Sequence, residues 1–173
     1  SENSLKESSQ DFGYSLGVLH HTPDTVEALN KCTSTLKQGA PFLVYLYYSL
    51  DNKPLWYRWL WLISDVIRKQ VSRLPFPLKF FISQLISLFV YLPLARFSLL
   101  CEKLGINVKN FPLTDYRSKA FYILRNDALD RFGTRLEHRF SKKQITEMLT
   151  NAGLHNITFS ENPPFWTAVA YKK

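Results

Sequence analysis

The side chains best suited to chemistry in this chain are two adjacent histidines, His20 and His21, and three closely spaced tyrosines, Tyr45, Tyr47 and Tyr48. Imidazole titrates near neutrality, so a histidine at a cleft can orient an acceptor or take up its proton, and His20 is the candidate catalytic group. Neighbours on an extended strand point to opposite sides, so only one of the pair can face a given ligand. The other bonds backbone or caps the helix that follows. The tyrosines could line an acceptor pocket, although a tyrosine in a strand packs a core just as readily. His21, Arg125 and His138 join them on the substrate side. Neither the histidines nor Cys32 and Cys101 have the matched spacing of a metal site.

Two apolar runs and one helix must position these groups. Phe12 to Leu19 is a short run ending at the polar knot His20-His21-Thr22-Pro23-Asp24, which reads as a buried strand. A helical pattern follows, with Val26, Leu29, Thr33 and Leu36 on one face. Its expected N-cap is Thr22, with Pro23 at the first helical position and Gly39 beyond its end. Phe42 to Tyr48 is the second run, without clean alternation. Two such strands joined by one helix make a right-handed βαβ unit in a parallel sheet covered on both faces. Ligands in these sheets bind beyond the carboxyl ends of the strands, here His20-His21 and Tyr47-Tyr48.

The stretch YSLGVLHHTPDT, the helix after it and LKQGAPFLVYLYY together resemble the middle of a class I S-adenosylmethionine-dependent methyltransferase. The chain has Lys37-Gln38-Gly39-Ala40 where that family has a Lys-Pro-Gly-Gly turn, and Gly13 where a larger strand residue is expected. FSKKQITEMLTNAGLHNITF is similar to the family's late helix and strand, and the likeness leans toward the ubiquinone-biosynthesis-like branch. The resemblance implies an α/β fold, the C-terminal portion of a Rossmann-like methyltransferase sheet. Parallel strands would end in an antiparallel hairpin, with a helical lid inserted. It also implies S-adenosylmethionine as cofactor, with Leu16, Gly17, Val18, Leu19 and His20 against its methionine part, and a small-molecule acceptor. The family's Gly-rich cofactor turn has no counterpart in these 173 residues, whose six glycines form no such loop. The chain is thus expected to supply the acceptor-binding half, inactive by itself, with the first strand left as a bare edge; the alternative is a non-catalytic, truncated methyltransferase-like domain that acts as an interaction or membrane-surface module. That edge would pair with a second copy or be covered by the lead and lid.

The expected organisation is a polar lead over 1–10, a βαβ unit over 11–48, the lid over 49–115, and over 116–173 a helix and hairpin completing the core. Leu55 to Leu74 reads as a helix with Arg58, Asp65, Arg68, Lys69 and Ser72 on one face and Trp59, Leu62, Ile63, Val66 and Ile67 opposite. Phe80 to Tyr91 is apolar nearly all round, which implies burial, and Pro93 kinks or ends it. A plain core-forming helix pair explains these segments as well as a lid does. Trp56, Trp59 and Trp61 span too much of the helix circumference to share one core, so at least one should meet a partner, a ligand or a bilayer. Ser141 and Gln144 match a capping box, with Phe140 and Ile145 as a staple.

Composition is that of a globular protein, with 46% apolar residues and a net charge of +8 that favours anionic partners. The basic residues are dispersed and carry no nucleic-acid-binding motif. Two cysteines are too few for a disulfide framework, so a reducing, cytoplasmic setting is expected, with a membrane surface as a further partner. The uncharged run between Lys79 and Arg96 is shorter than the roughly 20 residues a spanning helix needs.

Overall fold

A computed structural model describes residues 5–173, and the lead residues before Leu5 lie outside the described residues. The chain forms two compact units. One is an α/β unit made of the chain up to Asp51 together with Leu136–Lys173; the other is helical and comprises Asn52–Arg135. The boundary expected after residue 115 thus falls later, because residues 116–135 pack with the helices of the insertion.

The α/β unit contains β1 (Gly13–Leu16), α1 (Thr25–Ser34), β2 (Pro41–Tyr45), α6 (Lys142–Asn151), β3 (Leu154–Phe159) and β4 (Ala168–Lys172), the sixth helix being numbered along the whole chain. The strands form one mixed sheet in the order β1-β2-β4-β3. β1 runs parallel to β2, and β4 is antiparallel to both β2 and β3. The expected parallel pair and terminal antiparallel hairpin are therefore both present.

Side chains alternate across the sheet, and the two faces differ. Phe42, Val44, Ala168 and Ala170 lie on one face and pack against Leu29 of α1 and Ile145 and Leu149 of α6. The opposite face carries Tyr14 and Leu16, which stay 66% and 49% exposed. The expectation of a sheet covered on both faces is corrected: both helices of this unit pack into the core on one side. β1 is an edge strand with a parallel neighbour on one side only. Among the described residues of the lead, Ser8, Ser9 and Gln10 donate backbone hydrogen bonds to the carbonyls of Ser34 and Thr35 at the end of α1.

Local chemistry sets the ends of these elements. Asp24, not Thr22, caps α1 by accepting the Glu27 N–H at 2.9 Å. Thr22 is otherwise engaged, its hydroxyl donating to the Leu19 carbonyl at 2.6 Å. Gly39 lies past the helix in the turn entering β2, at φ +78, where its N–H bonds the Lys172 carbonyl. Within α1 the buried side is Leu29 and Thr33, with Leu36 just beyond, whereas Val26 points outward. The capping box of Ser141 and Gln144 is formed, and Ile145, Met148, Leu149 and Ala152 are buried as expected.

Gly13 answers to close packing. A Cβ there would lie 2.9 Å from Phe42 Cδ2 and 3.0 Å from Leu36 Cδ2, inside the main core. Gly13→Val is expected to cost about 1–3 kcal/mol by overpacking, read as a lower urea midpoint. An unchanged midpoint would mean that β1 does not press on Phe42.

The helical unit contains α2 (Leu55–Val71), α3 (Phe76–Ile86), a π-helical segment (Ser87–Tyr91), α4 (Leu92–Lys103) and α5 (Phe121–Gly133). Pro93 does not end the helix. It sits in the first turn of α4, and the π segment just before it widens the backbone where the proline ring would crowd the preceding turn. Helix α5 packs against α2, α3 and the π segment.

The burial pattern of this unit is inverted. Asp65, Arg68 and Ser72 of α2 are buried, as are Ser83, Ser87 and Ser98, while Trp59, Ile63, Val66, Phe81 and Phe89 are exposed. The burial expected for Phe80 to Tyr91 is corrected: Ser83, Ser87 and Tyr91 are buried and Ile82 and Ile86 pack against the cluster around Leu124, Ala128 and Phe132, while Phe80, Phe81, Leu85, Leu88, Phe89 and Val90 stay exposed. A small apolar cluster of Val71, Tyr91, Ala95, Leu124, Ala128 and Phe132 fills part of the interior, and polar contacts supplement it. Arg68 Nε donates to Asp65 Oδ1 at 2.7 Å, and its Nη1 donates to the Thr134 carbonyl at 2.9 Å. Lys79 Nζ donates to the Gly133 carbonyl at 3.1 Å, and Arg135 Nε to the Ser72 carbonyl at 3.3 Å. Two cations thus meet the carboxyl end of α5, where helix carbonyls lack partners. Burial pushes the Asp65 carboxyl up, but hydrogen bonds from Lys69 and Arg68 outweigh it and hold the group below its ordinary range.

Candidate functional site

The carboxyl ends of β1 and β2 gather most of the residues singled out for chemistry. Gly17, at φ +72, turns the chain out of β1 while its N–H still bonds the Tyr45 carbonyl at 3.0 Å. Leu19–His21 then forms a 3-10 turn. The two histidines are therefore not on a strand, and the expected opposition of their side chains is corrected. Their ring centroids lie 4.1 Å apart, and the His20 ring stacks on Tyr47 at 3.8 Å. The Tyr45 and Tyr47 rings lie 5.9 Å apart.

A returning segment, Leu136 to Phe140, completes the cluster. The His138 N–H bonds the His20 carbonyl at 2.9 Å, the Phe140 N–H bonds the Tyr47 carbonyl at 2.9 Å, and Tyr48 pairs with Phe140 as a parallel bridge. This brings in Glu137 and Arg139, which the sequence reading did not select. Arg139 Nε donates to Glu137 Oε1 at 2.7 Å, its guanidinium lies 5.2 Å from the Tyr47 ring centre, and its Nη1 donates to the Tyr48 carbonyl at 3.2 Å. The only signal for them in the sequence is the charged triplet Glu137-His138-Arg139 ahead of the capping box. Arg125 belongs to the helical unit, where its Nε donates to Gln84 Oε1.

The two histidines have different chemistry. His20 is fully buried, and its Nδ1 accepts the Tyr47 N–H at 3.4 Å, which leaves the proton of the neutral ring on Nε2. Burial lowers its pKa to about 3, helped by His21, Arg139 and His138. Such a group is a poor proton acceptor, and because its Nε2 is buried as well, the ring's contacts are with Tyr47 and His21 rather than with anything outside the fold. Among the described residues, His20 Nε2 and His138 Nε2 are buried without hydrogen-bond partners. His21 is the reverse case. Its Nδ1 is 2.6 Å from the Leu136 carbonyl and must donate to it, which leaves the Nε2 lone pair available as a base. Burial raises the Tyr45 phenol, with Tyr47 adding to the effect, so it stays a neutral hydroxyl at physiological pH. The cluster thus holds a buried neutral histidine, a second histidine with its Nε2 lone pair free of the Leu136 bond, and aromatic rings.

Of the residues expected to contact a cofactor, Leu16 and Val18 are exposed, Gly17 lies between them, and Leu19 and His20 are buried.

No family model matches the chain, and no curated protein does. Solved structures similar to it include two S-adenosylmethionine-dependent methyltransferases. That of Methanosarcina mazei shares 15% identity at a TM-score of 0.46, covering 99% of this chain and 63% of that one. That of Thermotoga maritima shares 12% identity at a TM-score of 0.42, covering 99% and 60%. A Bordetella parapertussis protein described as exported shares 14% identity at a TM-score of 0.44, covering 97% and 40%. The chain thus spans less than two thirds of each. Likeness at this level carries no argument about what the chain does.

Proposed function

We propose that this chain is the acceptor-binding part of an S-adenosylmethionine-dependent methyltransferase acting on a small molecule. One observation supports the reading: the strand order is a parallel pair followed by an antiparallel hairpin, and His21, its Nδ1 held by the Leu136 carbonyl, lies just beyond the tips of the parallel strands. Methyl transfer asks for a nucleophile held in line with the sulfonium and, for an oxygen or nitrogen acceptor, a base. His21 Nε2 takes the acceptor's proton, the buried His20 ring backs it by stacking on Tyr47, and Tyr45, Tyr47, Tyr48 and His138 wall the acceptor side.

The cofactor supplies the electrophilic methyl group when bound. Leu16–His20 would hold its methionine part, and the exposed side chains of Leu16 and Val18 are compatible with that contact. The open edge of β1 accepts a parallel strand, from another segment carrying the Gly-rich turn or from a second copy.

Calorimetric titration of S-adenosylmethionine into the chain tests the cofactor contact. The expected result is weak, saturable heat, with affinity near millimolar and so about −4 kcal/mol. Gly17→Val should abolish it, because a β-branched residue does not adopt φ +72 without strain. Absence of heat from the wild type would remove Leu16–His20 as a cofactor contact.

A further inference from the structure

We propose that the helical unit docks on an anionic lipid bilayer, lying in its interface with the outward apolar faces of α2, α3 and α4 among the acyl chains. Trp59, Ile63, Val66, Phe81, Phe89 and Phe97 are each more than half exposed. The faces of α2 and α3 that pack with α5 carry Asp65, Arg68 and Ser83 together with Val71, Ile82 and Ile86, and each helix has a further apolar face that stays exposed. Soluble proteins rarely leave apolar surface this extensive unpartnered.

Charge identifies the occupant. Between Asn52 and Arg135 the sequence holds 14 Lys and Arg against 5 Asp and Glu, a net +9, so the rest of the chain is left at −1 out of the total of +8. The unit that displays the apolar faces therefore carries the whole net positive charge. Two copies meeting through these faces would bring like charges together, whereas anionic headgroups are attracted by them. Arg58, Arg73 and Lys103 are exposed at or near helix ends, where long basic side chains reach headgroups while their stems lie along apolar surface.

An interfacial position suits the unit better than a spanning one. The continuous helical stretch Phe76–Lys103 is long and apolar enough to cross a membrane, with its most apolar window only 22% buried. Its uncharged part, however, runs only from Phe80 to Ala95, below the roughly 20 residues that the hydrocarbon thickness requires. Exposed apolar faces with basic residues at or near the helix ends are the pattern of an interfacial anchor.

Sedimentation with phosphatidylcholine vesicles containing about a third phosphatidylserine tests this, with pure phosphatidylcholine vesicles as comparison. The chain should bind the anionic vesicles and leave the neutral ones largely unbound, with a blue shift in the emission of Trp56 and Trp59. Replacing Arg58, Arg73 and Lys103 by Gln should weaken binding roughly fivefold per cation removed. Phe81→Asp with Phe89→Asp should abolish it while circular dichroism shows the helices intact, since both side chains are exposed. Failure of the wild type to sediment with anionic vesicles overturns the proposal. So does full binding by the double Asp variant, which would mark unspecific attraction, or self-association by light scattering in place of vesicle binding. These readouts do not involve S-adenosylmethionine and stand or fall apart from the calorimetric test.

Discussion

Arg68→Met should destabilise the helical unit by about 1–3 kcal/mol, the cost of leaving Asp65 Oδ1 and the Thr134 carbonyl without their donor while Lys69 stays paired with Asp65. Arg68 is 3% exposed, bonded to Asp65 on its own helix and to the Thr134 carbonyl beyond the end of α5. Methionine matches the stem in volume but donates nothing, so Asp65 loses its inner partner and the helix end loses its cation. The control is Ile63→Ser on the outward face, expected to change stability by no more than about 0.5 kcal/mol. An ordinary amphipathic helix would give the opposite ranking. Urea unfolding followed by tryptophan emission compares the two, and a cost for Arg68→Met below that of Ile63→Ser would sink the inverted arrangement.

Acid should weaken the α/β unit through His20. Its folded pKa is about 3 against the ordinary 6.5, so the unfolded chain binds a proton that the folded one refuses. Above pH 6.5 the ring is neutral in both states and contributes no penalty. As pH falls below that, folding is opposed increasingly down to about pH 3, where the penalty levels off. At pH 5 the loss is on the order of 2 kcal/mol. Urea melts at pH 7 and pH 5 should show it, and His20→Gln should flatten the difference because its side chain cannot titrate. A wild-type difference no larger than that of the variant would mean that the ring is not buried neutral.

The parts of the fold legible in sequence were those governed by local bonding. Ser141 and Gln144 announce α6 because each side chain satisfies the other's backbone N–H, a device complete within four residues. The bend at His20 was not legible. Phe12 to Leu19 carries the composition of a strand up to the polar knot, and only the positive φ of Gly17 and the 3-10 turn over Leu19–His21 show that the strand stops short of its end. Periodicity separated the two faces of α2 correctly, but it does not say which is inside. That depends on α5, whose unpaired carbonyls attract Arg68 and Lys79. Glu137 and Arg139 stayed hidden because a segment far along the chain delivers them to Tyr47 and Tyr48.

The chain leaves the α/β unit after Asp51 and re-enters at Leu136, and the closure between these points is made by the α/β unit itself. Ser49 bonds the Phe140 carbonyl, and the Asp51 carboxylate takes the N–H of Lys142 and the indole N–H of Trp166. The framework therefore asks of the intervening segment little more than that its two ends meet. Because the entropy of closing a loop grows only logarithmically with its length, one insert can be exchanged for another at small thermodynamic cost. Asp51 and Leu136 thus mark a seam at which the helical cassette can change in size and surface while the sheet keeps its register.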